Sequence, residues 1–484
     1  MTEVRWYRQD KAEVARRLAA GEHPDLAATS ALGPLDELIA LHEELGAFAA
    51  ITGVDTDRER AGIDDTLLLR TAATLPFVGN LGLRGQATVL LREPVLLLRL
   101  GWAPVQIREG DNGRYRHPDG RQAESLPCHP DTLRDALARI GEAAWLRAQQ
   151  RGVQALFQRG LIRGKVYAID GTGLDAAQRV VALVCVSGQR PLVVAWRYLE
   201  GSASEKGKEA AVSRALIEQA LAAGGDTCIG LLLADALYAD GPLLAWLKYA
   251  KGIDALVRLP ADRLLYGDLQ GLVRAGLVPW TEHTYRRTIQ GHKERRTVAL
   301  AAGGDLTSWD SFREAATTYG APTATLWACL IRDVTPQLQP VEDASALVST
   351  RVWDDPSHAF QAFRPRWVIE DDTFRELKEG WGLERYPWSE RGTIVRARVT
   401  LTLLAFNTAQ VYRTTAGGHL ADKGIRRLRL LHRPELGVAP AVIYLQEMYG
   451  VFALEELLTI LGMPPKESLL PHPRPKSARS GVPP

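Results

Sequence analysis

From Leu35 to Ile51, apolar residues fall at Leu35, Leu38, Ile39, Leu41, Leu45 and Phe48. That spacing is close to 3.6 residues and predicts an amphipathic helix. Thr66 to Leu75 repeats the pattern, and Pro76–Gly79 is expected to break it. Gln86 to Leu100 is strongly apolar, with Pro94 as a kink or boundary. A Gly/Asp/Arg-rich segment, 109–117, suits a hairpin, and Pro130–Asp131–Thr132 opens a helix expected to reach about Phe157. Residues 1–160 therefore read as a helical region. Its short helices and arginine-studded turn suit DNA binding; a plain helical bundle is the alternative.

After residue 160 the period changes from 3.6 to 2. Val166–Asp170, Val180–Ser187 and Pro191–Tyr198 are strand-like runs joined by short turns, so they are expected to pair antiparallel. Glu205–Ala223 reads as a helix stopped by Gly224–Gly225. Ile229–Ala234 is the next strand, parallel to the first because a helix crosses between them. Leu243–Ala250 is a further helix and Ile253–Leu259 a fifth strand. The order β-β-β-α-β-α-β is that of an α/β ribonuclease-H-like core, in which the first and fourth strands are neighbours.

Residues 261–355 interrupt this core. Arg295–Ala301 and Thr325–Arg332 are strand candidates within a β-rich insertion. Trp280, His283 and Tyr285 alternate there with Arg286, Arg287, His292, Lys293, Arg295 and Arg296. Cations interleaved with aromatics suit a surface that holds phosphates and stacks on bases; a solvated hairpin is the alternative. Residues 356–415 return to helix as the last part of the core, with Arg366, Glu370, Phe374 and Lys378 on one face and a second helix over Gly392–Arg413. Residues 416–464 read as a helical C-terminal region: a basic patch at Lys423, Arg426, Arg427 and Arg429, then a helical pair from Pro440 to Leu461. The apolar stripe of that pair, from Val442 to Leu461, could join two subunits or dock on the core. The Pro/Ser/Arg-rich tail, 465–484, is expected to be disordered.

Composition adds bounds. The 484 residues are 46% hydrophobic and 24% charged, as in soluble globular proteins of several domains. The net charge is only +2, so any nucleic-acid surface must come from local clusters such as the one above. Cys128, Cys185, Cys228 and Cys329 form no CxxC pair, which argues against zinc and for a reducing compartment. No leader-like pattern opens the chain and no apolar run suits a membrane span, so the expected location is cytoplasmic.

The candidate chemistry lies in three acids. Asp170 ends one apolar strand, Asp235 ends another, and Glu370 opens a helical pattern in Arg366–Trp367–Val368–Ile369–Glu370. Acids that converge repel one another unless a cation neutralises them, and hard oxygen donors suit Mg²⁺ or Mn²⁺.

Strand–Asp170, strand–Asp235 followed by Ala236–Leu237–Tyr238, and Arg366–Glu370 leading to Phe374 and Lys378 together resemble the DDE transposases of bacterial insertion sequences. The resemblance covers about 160–415. It is to the cut-and-paste branch, which carries a β-strand insertion and a Tyr-x2-Arg-x3-Glu-x6-Lys signature. Here Phe363 takes the Tyr position, and Lys378 falls one residue late. Eight residues are about 80° around an α-helix, so Glu370 and Lys378 still face one side.

The resemblance implies a metal-dependent transposase. Its catalytic and metal residues would be Asp170, Asp235 and Glu370, holding two Mg²⁺ or Mn²⁺ ions per active site. Arg366 and Lys378 would contact DNA, with Arg286, Arg287, Lys293, Arg295 and Arg296 as the further DNA-binding set. It implies double-stranded DNA as partner (element ends and target), a homodimer in the DNA complex, a bacterial nucleoid-associated location, and Trp280, Trp309 or Trp327 as candidates to receive a flipped base. Two alternatives stand beside it: a catalytically silent end-binding protein, and a metal-dependent nuclease of the same fold.

Overall fold

The computed structural model describes residues 8–29, 35–54, 56–58, 62–79, 81–110, 113–114, 125–205, 208–289, 292–335, 337–384, 388–389, 391–415, 425 and 441–463. The Val/Leu/Ala-rich runs after residue 160 form the strands of one large mixed sheet. Its strands are β1 (Val166–Gly173), β2 (Gln178–Cys185), β3 (Leu192–Glu200), β4 (Leu231–Ala234), β5 (Asp254–Leu259), β6 (Thr281–Ile289), β7 (His292–Leu306), β8 (Leu326–Asp333) and β9 (Ser345–Ser349). Their order across the sheet is β6-β7-β8-β9-β5-β4-β1-β2-β3. β1 pairs antiparallel with β2 and parallel with β4, as the short turns and the helical crossover require. Mixed α/β architecture of this kind is consistent with a ribonuclease-H-like core.

Three details of this sheet differ from the sequence reading. β1 does not stop at Asp170 but continues to Gly173 against β2; only its pairing with β4 stops, at Ile169 opposite Ala234. The strands after residue 280 lie in the same sheet as the core, because β9 pairs directly with β5. The helix expected from Glu205 begins at Ser213, after 3-10 turns at Gly201–Ser204 and Glu209–Val212.

The helix Gly392–Thr415 is buried along most of its length, polar residues such as Arg398, Thr402, Asn407 and Gln410 included. Asn407 within it accepts a hydrogen bond from the Val193 amide and donates one to the Val193 carbonyl, both 2.8 Å. These bonds satisfy backbone groups of edge strand β3 with a side chain. His42, from helix Leu35–Glu44, meets Thr408 of the same long helix, with 2.7 Å between Nδ1 and Oγ1. The N-terminal helices thus pack on the core through this element.

Several N-terminal boundaries move. The helix expected over 35–51 is split by Gly46, at φ 82°, into Leu35–Glu44 and Ala47–Ile51. Pro76 does not end its helix, which spans Asp65–Val78 and is buried on all sides. The long helix expected from Pro130 is two, Pro130–Arg139 and Glu142–Gln158.

The C-terminal expectation is overturned. Ala441–Leu445 and Met448–Phe452 are strands of a hairpin, followed by one helix, Leu454–Ile460. The Val-Ile-Tyr run favours a strand, and Gln446, at φ 54°, turns the chain without glycine. Leu26–Thr29 and Arg8–Gln9 flank the hairpin in a four-stranded sheet. The apolar stripe, read as either a subunit contact or a face docked on the core, is largely internal, with Val442, Leu445, Tyr449 and Phe452 each at most 1% exposed. The basic patch at Lys423, Arg426, Arg427 and Arg429 and the tail 465–484 lie outside the described residues. No helix among the described residues is long and apolar enough to cross a membrane.

Candidate active site

Asp170 projects from β1 where the β4 ladder has ended. The next residue of β4's chain beyond Ala234 is Asp235, so the two acids follow consecutive partners of a parallel register. Each is anchored by its following amide: Asp170 Oδ1 accepts from Gly171 at 2.8 Å, and Asp235 Oδ1 accepts from Ala236 at 2.7 Å. Asp235 thereby caps the 3-10 turn Ala236–Tyr238.

Glu370 comes from the other side. It lies in Ile369–Phe374, a segment wound as a π-helix, and a second π segment, Glu376–Gly380, carries Lys378. Thr373 Oγ1 reaches the Val368 carbonyl five residues back, at 3.3 Å, as the wider turn permits. π segments are rare and concentrate at functional sites.

Arg366 joins the two sides. Its Nη1 lies 2.6 Å from Glu370 Oε1 and 3.5 Å from Asp170 Oδ2. The guanidinium is buried and stacks 4.5 Å from the Trp367 ring centre; its Nε has no hydrogen-bond partner among the described residues. Burial lifts the Asp170 carboxyl to about 7; Glu370 and Asp235 add to the lift, while the Gly171 amide and Arg366 oppose it.

An open cavity of about 460 Å³ is lined by Asp170, Gly171, Thr172, Glu370, Phe374, Arg375, Lys378, Glu379 and Glu384. Lys378 thus shares the cavity with Glu370 despite its late position, and its ammonium meets Glu384 at 3.5 Å. Sequence reasoning missed Glu384, which lies beyond the π segments and belongs to no motif, and Trp367, which is 48% exposed beside Arg366. The Arg-Trp pair was visible in the sequence; its exposure was not.

Among the described residues, no three acids, histidines or cysteines are gathered closely enough to hold a metal ion as they stand. The donor set nevertheless fits a hard divalent cation. The charges of Glu370 and Asp235 both bear on Asp170, and the Arg366 guanidinium lies between Asp170 and Glu370.

The basic residues of β6 and β7 do not share one face. Arg286 pairs in register with Arg295, and Thr288 with Lys293; Arg287 opposes Glu294, and Tyr285 opposes Arg296. Because side chains alternate along a strand, Arg286, Arg295 and Lys293 project from one face, and Arg287 and Arg296 from the other. Arg296 is also engaged, at 2.7 Å from Glu294 and 3.3 Å from the Thr335 carbonyl. The hairpin is tied to the site: Arg364 donates to the Arg286 carbonyl at 2.9 Å, two residues before Arg366. Of the tryptophans considered, Trp309 and Trp327 are buried, and Trp280 is half-buried with the Arg332 guanidinium 4.2 Å from its ring centre.

In comparison with known families, residues 165–407 match the model described as "Transposase DDE domain". No curated protein matches the chain.

Proposed function

The chain belongs to the DDE transposase family, and from that membership we propose that it cuts and joins DNA at the site of Asp170, Asp235 and Glu370. A transposase function and DNA binding follow from the family, whose members generally use divalent metal ions. The observation that carries the residue assignment is the arrangement of Asp170 on β1 and Asp235 just past the end of its parallel neighbour β4, with Arg366 bridging Asp170 to Glu370. We assign the three carboxylates as ligands of two Mg²⁺ or Mn²⁺ ions. When bound, such ions supply the Lewis acidity needed for phosphodiester hydrolysis and for strand transfer by a 3′-hydroxyl.

The chain's own residues do the rest. Asp170, Asp235 and Glu370 would hold the metal ions in place. Arg366 and Lys378 hold phosphates of the DNA end as fixed cations. Arg286, Lys293 and Arg295 form one cationic face and Arg287 and Arg296 another, on an insertion (261–355) that grips DNA beside the site. The N-terminal region, 1–160, contributes to recognition of element ends. Two element ends require two active sites, so the working form is a homodimer on DNA.

The test is cleavage of element-end DNA in Mg²⁺, with end binding measured in parallel. Asp235→Ala is expected to abolish cleavage and to leave end binding nearly intact. Cleavage at the parent rate would make Asp235 a structural acid.

A further inference from the structure

Behind Asp170, on the opposite face of β1, lies a fourth carboxylate. Successive strand residues point to opposite faces, so Gly171 faces away from the Asp170 side chain. Glu209 packs there so closely that a Cβ on Gly171 would lie 3.3 Å from its carboxyl carbon. Glu209 is 3% exposed. Its Oε1 accepts from Arg179 Nη1 at 3.1 Å, and Arg179 is also held by the Ser204 carbonyl, 3.2 Å from its Nε. Its Oε2 is buried with no hydrogen-bond partner among the described residues.

A second orphan lies just beyond Asp235. Tyr238 closes the 3-10 turn that Asp235 caps, and its side chain is 1% exposed. Its hydroxyl is also buried without a partner among the described residues. Burial pushes that hydroxyl's proton affinity up, and the charges of Asp170, Glu209 and Asp235 push it further. A buried donor and a buried acceptor left unpaired are each costly, and one O–H···O bond between them would satisfy both.

We propose that Glu209 and Tyr238 are positioning residues, linked by a hydrogen bond from the Tyr238 hydroxyl to Glu209 Oε2 when the site is loaded with its divalent ions. Arg179 and Glu209 fix the β1 side of the site through Gly171, and Tyr238 fixes the Asp235 turn. The bond sets the spacing of the Asp170 and Asp235 carboxylates. This rests on the assignment of those two acids as metal ligands, proposed above.

The experiment is Mn²⁺ titration of the full chain by electron paramagnetic resonance, for the parent, Tyr238→Phe, Glu209→Gln and Asp235→Asn. Melting midpoints and the Mg²⁺ dependence of cleavage accompany it. Removal of outer-shell partners typically weakens metal affinity by about 10- to 100-fold. We therefore expect Tyr238→Phe and Glu209→Gln to bind Mn²⁺ at least about tenfold more weakly and to need correspondingly more Mg²⁺ for half-maximal cleavage, with end-DNA affinity unchanged. Tyr238→Phe separates this from a structural role. Its hydroxyl has no partner among the described residues, so a structural role predicts an equal or higher melting midpoint and unchanged Mn²⁺ affinity. Should Glu209→Gln fail to fold because Arg179 loses its partner, Tyr238→Phe alone decides. Mn²⁺ affinity within twofold of the parent in Tyr238→Phe, while Asp235→Asn loses it, overturns this inference and leaves the site assignment standing. Unchanged affinity in Asp235→Asn overturns both.

Discussion

Arg366 carries the charge balance of the site. It is 3% exposed and contacts two of the three acids. Removing one partner of a buried pair leaves the other charges uncompensated. Because Glu370 is partly exposed, Arg366→Ala should lower metal-free stability by about 2 kcal/mol rather than the full cost of a buried pair. Divalent ions should restore part of that loss, since they would take over the neutralising role. Melting with and without Mg²⁺ checks this; an unchanged metal-free midpoint would show that the guanidinium neutralises nothing. At this scale the sequence was informative about identity and weak about geometry. The acids could be read because each adjoins an apolar run, and Arg366 because it is four residues from Glu370. The bridge from Arg366 to Asp170 could not, since it spans about two hundred residues of chain and depends on how the π segment meets β1. The pairing of Lys378 with Glu384, six residues on, was hidden because Glu384 lies past the π segment and belongs to no motif.

Among elements, the β6–β7 hairpin shows what register adds. Cations were legible there as a cluster, but without register a strand pair cannot be divided into faces. The division changes the expected outcome of mutation. Neutralising the exposed Arg286, Lys293 and Arg295 should weaken DNA binding and leave the fold intact. The salt dependence of binding should flatten by about 0.9 in log–log slope for each phosphate the variant no longer neutralises. Arg296→Ala should instead cost stability, because that side chain is bonded to Glu294 of the hairpin and to the Thr335 carbonyl beyond it. Equal salt slopes in folded parent and triple variant would make the first face merely solvated.

Helix contacts give a second test. His42 is buried between the Phe48 and Phe77 rings, each 5.2 Å away, and against Thr408. Burial, aided by the charge of Arg70, lowers its pKa to about 3 from the usual 6.5. Between those values the unfolded chain binds a proton that the folded chain does not, so stability falls as pH falls. The contribution is complete above about 6.5 and is lost by about 1.4 kcal/mol per pH unit below it. Urea unfolding at pH 7 and pH 5 should show a smaller acid loss for His42→Gln than for the parent. Identical losses would mean that His42 is protonated in the fold.

At the scale of the whole molecule, two segments far apart in sequence are joined. Strands from residues 8–29 and 441–452 share one sheet, and Val14, Leu18, Ile443, Leu445 and Phe452 form a common apolar cluster. The sequence concealed this because Val442–Leu461 supports helical spacing as well as alternation, and a turn at Gln446–Glu447 carries no glycine or asparagine signal. Deleting residues 441–463 should therefore expose apolar surface and lower the melting midpoint, rather than only impair assembly. Dye binding and melting would show it, and a midpoint equal to that of the full chain would contradict it. The core was more legible, because alternating helices and apolar strands admit few connections. The central claim is that Asp170, Asp235 and Glu370 together hold the catalytic ions. Its most direct test is anomalous diffraction from the full chain crystallised with element-end DNA and Mn²⁺. The account predicts manganese peaks touching the Asp170 and Asp235 carboxylates, with Glu370 turned from Arg366 toward the metal. Manganese bound elsewhere, with Arg366 still bridging Glu370 and Asp170, would contradict it.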